Sequence, residues 1–135
     1  MRLLGVDYGL NRIGIAIGEA EVGMAFARTQ MKSLGSPELD AHRIANLAHD
    51  EDCNCIVIGM PYLESGEEGE QAKISRKLGQ ALKELDCNIE FWDERYTTSQ
   101  ANTNLKHLKP EKRKSAADSE AARIMLTNFM ERAKA

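Results

Sequence analysis

No apolar run in this 135-residue chain approaches the roughly eighteen residues that a membrane-spanning helix needs. Met1 and Arg2 lead directly into a strand-like pattern, so we expect no signal peptide. Hydrophobic residues make up 42% of the chain and charged residues 29%, a balance typical of a globular protein and not of a disordered one. We therefore expect a cytoplasmic protein with one domain, residues 1–135, that buries its own core.

Cysteine is scarce and does not form an even set. Cys53 and Cys55 are too close in sequence for easy bridging, and with Cys87 they lack the second ligand pair of a zinc site. We expect all three to be reduced thiols near the starts of strands.

Two common catalytic signatures are also missing. The chain has no apparent Ser-His-Asp or Cys-His nucleophile set and no Gly-x-x-x-x-Gly-Lys phosphate loop. The net charge of −3 argues weakly against a nucleic-acid partner. That average conceals a basic block between Lys106 and Lys114, where five basic residues stand against the single acid Glu111.

The periodicity of apolar residues predicts the order of strands and helices. Strand patterns over residues 2–8, 12–18 and 23–31 are separated by short turns and predict an antiparallel meander. Ser36 and Pro37 predict a helix start, with Ser36 as the N-cap. The rest alternates: a strand over 55–59, a helix marked by Ile74, Leu78, Leu82 and Leu85, a strand over 88–93, a helical piece over about 99–108 and a closing helix over 115–134. This order predicts an α/β fold with a mixed five-stranded sheet, a three-stranded meander plus two parallel strands, flanked by helices.

Acidic residues come at the ends of the strands that should lie parallel. Right-handed crossovers would place the carboxyl ends of the first, fourth and fifth strands at one edge of the sheet. That edge would gather Asp7, the segment Gly59-Met60-Pro61 and the segment Asp93-Glu94-Arg95. We expect Gly59 to keep the space between the acids free of bulk. Regular alternation would send the Asp93 side chain to the face opposite Glu94.

Asp118 is expected in the first turn of the closing helix, where two interpretations are open. It stands at the head of an apolar face that continues through Ala122, Met125 and Phe129. Burying a carboxylate there costs free energy unless a positively charged group lies beside it, which favours a metal-ligand role for Asp118. Alternatively, Ser115-Ala116-Ala117-Asp118 fits a capping box that caps the start of the helix, with Asp118 at the N3 position. The two roles are not exclusive.

Two or three carboxylates on one sheet edge, without Cys or His nearby, select a hard divalent cation such as Mg²⁺ or Mn²⁺. Such ions activate water and stabilise the leaving oxygen in phosphodiester cleavage. The pattern therefore indicates a metal-dependent nuclease.

Basic and hydroxyl residues around the acids suit a phosphate backbone. Arg12 and Arg95 could each bind a phosphate through a forked guanidinium, or form ordinary surface salt bridges. Thr97 is expected near the N-terminus of a helix that could hold a phosphate. The basic block runs into Asp118, which favours nucleic-acid contact over a merely solvated loop, and its last members are Lys112, Arg113 and Lys114.

Four motifs, in order over nearly the whole chain, resemble the YqgF/RuvX family. They are Asp7-Tyr8-Gly9 with Arg12-Ile13-Gly14-Ile15-Ala16, Gly59-Met60-Pro61 with Gly66, Asp93-Glu94-Arg95-Tyr96-Thr97-Thr98, and Asp118-x-x-Ala121-Ala122. The resemblance implies an RNase H-like nuclease related to RuvC-type Holliday junction resolvases. It further implies a bacterial cytoplasmic role in maturing the 5′ end of pre-16S rRNA, with resolvase activity as the family's earlier assignment. The matching positions imply Asp7, Glu94 and Asp118 as catalytic residues and metal ligands.

The chain departs from the family pattern in two places. The loop after Pro61 is unusually acidic, with Glu64, Glu67 and Glu68, and would repel a phosphate backbone unless it folds away. The segment around Asp118 is more polar than expected.

Three functions remain open: a nuclease of structured RNA, a resolvase of branched DNA, and a non-catalytic nucleic-acid-binding module of the same fold. We expect no membrane partner, and a monomer or weak homodimer.

Overall fold

A computed structural model describes the backbone of residues 1–96 and 110–134, and the side chains of residues 1–95 and 119–133. The strands are β1 Arg2–Tyr8, β2 Arg12–Glu19, β3 Met24–Lys32, β4 Cys55–Met60 and β5 Ile89–Asp93. The helices are α1 Pro37–Asp50, α2 Glu70–Glu84 and α3 Pro110–Lys134, and a 3₁₀ turn, Glu94–Tyr96, follows β5. The helical piece expected over about 99–108 lies outside the described residues.

The strands form one sheet in the order β3-β2-β1-β4-β5. The meander β1-β2-β3 is antiparallel, and β4 pairs parallel with both β1 and β5. The predicted mixed five-stranded sheet is therefore confirmed. β4 is buried along its whole length, as expected for a central apolar strand with both faces covered.

Helices cover both faces of the sheet. On one face, Leu4 and Val6 of β1 belong to a core cluster with α1 and α2, which contribute Ile44 and Leu78. On the other face, a second cluster includes Leu126 of α3 and other buried side chains, among them Leu3, Val57, Trp92, Ala122 and Met125. Side chains alternate between the two faces along a strand, so those on one face of β1 pack against α1 and α2, and those on the other face pack against α3.

The N-terminus of α1 agrees with its sequence signal. Ser36 Oγ accepts a hydrogen bond from the Leu39 amide at 3.4 Å, and Pro37 occupies the first helical position. The cysteines are free, as predicted. They lie at the amino-terminal ends of β4 and β5, the sheet edge opposite the acidic residues. Burial raises the pKa of Cys55 to about 11, which keeps its thiol protonated.

The start of α3 corrects the sequence prediction. The helix begins at Pro110 and not at Ser115, so Asp118 lies eight residues inside it, beyond the first two turns. The capping-box interpretation of Ser115 and Asp118 is therefore wrong. Proline is favoured at the first helical position, and the following lysines and arginine are good helix formers, so the helix includes the end of the basic block. The apolar face predicted after Asp118 is confirmed, because Ala122 and Met125 are buried and Phe129 packs beside them.

Across the part of the chain that the structure describes, no helix is long and apolar enough to cross a membrane.

Candidate active site

Asp7 and Glu94 meet at the carboxyl-terminal edge of the sheet. Asp7 stands one residue before the end of β1, and Glu94 directly follows β5. Both side chains are half-buried, and they share a hydrogen bond. Burial, followed by the negative charge of Asp7, raises the pKa of Glu94 to about 8. Two carboxyl groups this close therefore share a proton at neutral pH.

Gly59 of β4 makes this contact possible. β4 lies between β1 and β5, so Glu94 has to reach across it. A Cβ at position 59 would lie 2.6 Å from Glu94 Oε1, closer than real Cβ atoms approach a neighbour. The expectation that Gly59 keeps this space open agrees with the structure.

Helix α3 packs over the contact between Gly59 and Glu94. Met125 Sδ would lie 2.9 Å from the Gly59 Cβ position. One turn and a half earlier, Ser119 is buried and its Oγ accepts a hydrogen bond from the Ile15 amide at 3.3 Å. Ile15 pairs with Val6, the residue before Asp7. Ser119 therefore fixes α3 next to the end of β1.

Sequence reasoning missed the role of Ser119, although a signal existed. Ser119 precedes Ala122 by three residues and Leu126 by seven, the spacing of the buried face. A polar residue at such a position needs a hydrogen-bond partner, which the Ile15 amide supplies. The polar character of the segment around Asp118 thus has a packing reason.

The Asp118 side chain lies outside the described side chains, so its predicted role is not tested. Its backbone belongs to α3 and immediately precedes Ser119. Within the described residues, no group of three or more His, Cys, Asp or Glu side chains could hold a metal ion.

Asp93 does not join Asp7 but binds Arg95. The Arg95 guanidinium donates to both Asp93 oxygens, with Nε–Oδ1 at 3.0 Å and Nη2–Oδ2 at 2.6 Å. This ion pair lowers the pKa of Asp93. Arg95 also lies over the Tyr62 ring, 5.6 Å from its centroid. The structure thus connects Arg95 to the loop after β4.

The structure describes only some of the other residues predicted to bind phosphate. Arg12 begins β2 at the same edge as Asp7, and its carbonyl accepts a hydrogen bond from the Gly9 amide at 3.0 Å. Thr97 lies outside the described residues. Lys112, Arg113 and Lys114 belong to the first turns of α3, and their side chains lie outside the described ones.

One of the three acids in the loop after β4 is neutralised. Arg76 Nε donates to both oxygens of Glu68 at 2.9 and 3.0 Å, and this bond lowers the pKa of Glu68. Glu64 and Glu67 are exposed.

A buried carboxylate holds the end of β1 from the opposite face. Asp40 of α1 is fully buried and accepts hydrogen bonds from Tyr8 Oη at 2.5 Å, Ser33 Oγ at 2.6 Å and the Leu34 amide at 2.8 Å. Gln71 Nε2 donates to the Tyr8 carbonyl at 2.6 Å. No periodicity in the sequence indicated this network, because its members come from four separate segments.

Two Holliday junction proteins of known structure share this fold. Thermus thermophilus RuvC, solved with a Holliday junction substrate, superposes with a TM-score of 0.57 over 99% of this chain and 96% of RuvC, at 14% identity. The yeast mitochondrial Holliday junction resolvase gives a TM-score of 0.57 over 95% of this chain and 77% of its own, at 11% identity. The fold thus places the chain in the RuvC-like, RNase H-like class.

The sequence comparison specifies the family. Residues 1–132 match RuvX, described as a Holliday junction resolvase, and the chain belongs to this family of nucleases. A Sulfurihydrogenibium relative is 34% identical over 134 residues, covering 97% of this chain and 90% of the relative. One from Rhodopirellula baltica is 35% identical over 133 residues, covering 96% and 76%. Both carry the provisional name pre-16S rRNA nuclease.

Proposed function

We propose that this protein is a Mg²⁺- or Mn²⁺-dependent endonuclease that processes the 5′ end of pre-16S rRNA in the cytoplasm. Asp7, Glu94 and Asp118 would be its catalytic residues and metal ligands. The observation that carries this proposal is the contact between the Asp7 and Glu94 carboxyl groups across the bare backbone of Gly59.

The described residues fit a hard divalent cation. Both candidate ligands present carboxylate oxygens, which Mg²⁺ prefers. Burial and the negative charge of Asp7 together keep a proton on Glu94 near neutral pH, and a cation would relieve the repulsion between the two carboxylates. When bound, the ion would supply Lewis-acid activation of water and stabilisation of the leaving oxygen.

The backbone of α3 supports Asp118 as the third ligand. The hydrogen bond from Ile15 to Ser119 brings that point of the helix next to the β1–β2 pair that carries Asp7. Asp118 is the preceding residue of the same helix.

Basic residues around this edge would position the phosphate backbone. We assign this role to Arg12, Arg95 and Thr97, and to the residues near the start of α3, Lys112, Arg113 and Lys114. Charge-assisted contacts of this kind are independent of base sequence and weaken as salt rises.

RNA is the favoured substrate because the relatives with 33–35% identity are named for pre-16S rRNA. Branched DNA is the second candidate, since the family is described as a Holliday junction resolvase. Symmetric cleavage of a four-way junction requires two sites, so a resolvase would have to act as a dimer.

The test is a side-by-side cleavage assay on a pre-16S rRNA fragment and a synthetic four-way DNA junction, each with Mg²⁺ and with EDTA. We expect Mg²⁺-dependent cleavage of the RNA, and its loss in the Asp7→Asn variant with an unchanged circular dichroism spectrum. Asp50→Asn, at the far end of α1, is the matched control and should cleave normally.

Cleavage of the junction alone would assign the protein as a resolvase. Full activity of Asp7→Asn would reject the proposed site. A non-catalytic module would cleave neither substrate, and Mg²⁺ titration would then leave the NMR signals of residues 7, 94 and 118 unchanged.

A further inference from the structure

A cavity lies behind the candidate catalytic edge, on the opposite face of β1. It encloses about 270 Å³, and its lining includes Tyr8, Leu10, Pro37, Glu38, Ile74 and Lys77. Asp7 faces α3, whereas Tyr8 faces α1 and α2, so the cavity and the carboxylates are separated by the last residues of one strand. Neither the metal site nor the phosphate contacts proposed above use this cavity.

The size and walls of the cavity suit a flat, mostly apolar group. Leu10, Pro37 and Ile74 contribute apolar surface. Leu10 sits at the rim in the β1–β2 turn and is 71% exposed, which leaves a large apolar side chain in water at the entrance. A nucleobase is planar and apolar on its faces, and proteins bind unpaired bases between such side chains.

Two charged residues, Glu38 and Lys77, are among those that line the cavity. Glu38 Oε2 accepts a hydrogen bond from Ser36 Oγ at 2.9 Å, which orients the carboxylate. Lys77 of α2 lines the same cavity as Glu38. The cavity wall therefore includes both a hydrogen-bond acceptor and a hydrogen-bond donor.

This pair is complementary to one base edge. Guanine presents its O6 acceptor beside its N1–H and N2–H donors, so Lys77 would bind O6 while Glu38 accepts from N1–H and N2–H. Adenine would turn its N6 amino donor towards the ammonium group of Lys77 and its unprotonated N1 towards the carboxylate, which are both repulsive contacts. Uracil, with one ring, would fill less of the cavity.

The distance along the chain suits a single substrate strand. Gly9, which lines the cavity, lies two residue steps from Asp7 along the chain, a span of at most about 7 Å and comparable to one nucleotide step. We propose that this cavity binds an unpaired guanine of the substrate strand, next to the phosphate that is cleaved. The inference rests on the proposed nuclease function and adds a base preference to it.

Binding can be measured without cleavage. Fluorescence polarisation in EDTA would compare 5′-fluorescein-labelled uridine hexamers that carry a single guanosine, adenosine or cytidine at the third position. We expect the guanosine hexamer to bind about fivefold or more tightly than the others. Lys77→Met and Glu38→Gln should each reduce its affinity to that of the all-uridine hexamer. Lys83→Met, in the last turn of α2, is the matched control and should keep the preference.

Three results would overturn the proposal: equal binding of all hexamers by the wild type, an unchanged guanosine preference in both cavity variants, or an equal loss for every hexamer in Lys77→Met. The last would make Lys77 a phosphate contact. Photo-crosslinking of a hexamer with 6-thioguanosine should modify the peptides that contain Leu10 or Ile74, and crosslinks confined to other peptides would also reject it. Cleavage by the wild type and its loss in Asp7→Asn test the nuclease assignment separately, so the two proposals can fail independently.

Discussion

The Glu94 carboxylate occupies the space that a side chain at position 59 would need, with Oε1 only 2.6 Å from the place of the missing Cβ. Met125 Sδ approaches the same point to 2.9 Å from the α3 side. Position 59 of the central strand must therefore lack a side chain for Glu94 to reach Asp7. The φ of Gly59 is not in the left-handed region that favours glycine, so its backbone conformation would allow other residues. Glycine is therefore needed at this position for space and not for its φ.

Gly59→Ala should separate the two carboxylates. The new methyl group would displace Glu94, Met125 or both, because neither contact distance is tolerated. We expect Mg²⁺-dependent cleavage to fall at least tenfold, while the free energy of unfolding falls by about 1 kcal/mol, the low end for overpacking, because the atoms that must move are the ends of flexible side chains. Cleavage rates and urea denaturation would measure the two effects.

The control for this variant is Gly69→Ala, whose methyl group would meet only the side chain of the exposed Leu63, at 3.2 Å. It should retain activity. Equal activity of Gly59→Ala and the wild type would show that the Glu94 position is not needed.

The metal-free protein should lose stability as pH rises from about 4.5 to 8. Glu94 has a pKa near 8 when folded and 4.5 in the absence of its surroundings, so the folded state holds the proton more tightly. The stabilising contribution is complete below pH 4.5 and is lost as pH rises through the folded pKa. Thermal unfolding in EDTA between pH 4 and 9 would measure this slope.

Glu94→Gln removes the titrating group and should flatten that slope. At pH 8 the variant should be more stable than the metal-free wild type, by about 2 kcal/mol. Addition of Mg²⁺ should stabilise the wild type and not the variant. An identical pH slope in both proteins would show that Glu94 does not produce this pH dependence.

Removal of the Asp40 carboxylate should destabilise the fold strongly. Asp40→Ala leaves the Tyr8 and Ser33 hydroxyls and the Leu34 amide without their buried acceptor, and we expect a loss of about 3 kcal/mol. Tyr8→Phe removes one donor only and should cost about 1 kcal/mol. The double variant should be less destabilised than the sum of the two, since both single changes break the same 2.5 Å bond. Strict additivity in urea denaturation would show that the bond contributes nothing.

Ser119→Ala should loosen the attachment of α3 to the sheet. The Ile15 amide would lose its side-chain partner in a buried place, at a cost of about 1–2 kcal/mol. Because Asp118 precedes Ser119, we also expect a lower kcat with little change in KM. Thr127→Val is the control: its hydroxyl bonds only within α3, to the Arg123 carbonyl, and its loss should change stability by about 0.5 kcal/mol or less. Unchanged kcat in Ser119→Ala would separate this anchor from catalysis.

The sequence by itself determined the order of the elements and the edge of the sheet at which the acids meet. Alternation along β1 and the unbroken apolar run of β4 are local patterns, and the right-handed crossover rule converts them into a topology. The N-cap at Ser36 follows equally from local chemistry. The start of α3 was mispredicted because Ser115 offers a capping signal that the helix bypasses in favour of Pro110.

Only the tertiary structure decided which side chains touch. The Asp7–Glu94 contact depends on a third strand with no side chain between them, and Asp40 finds its partners in β1 and in the segment before α1. Ser119 receives its hydrogen bond from a residue 104 positions earlier. Such contacts join residues that are distant in sequence, so they leave no periodic pattern in it. The energy of each contact depends on differences in distance of a few tenths of an ångström, which packing alone sets.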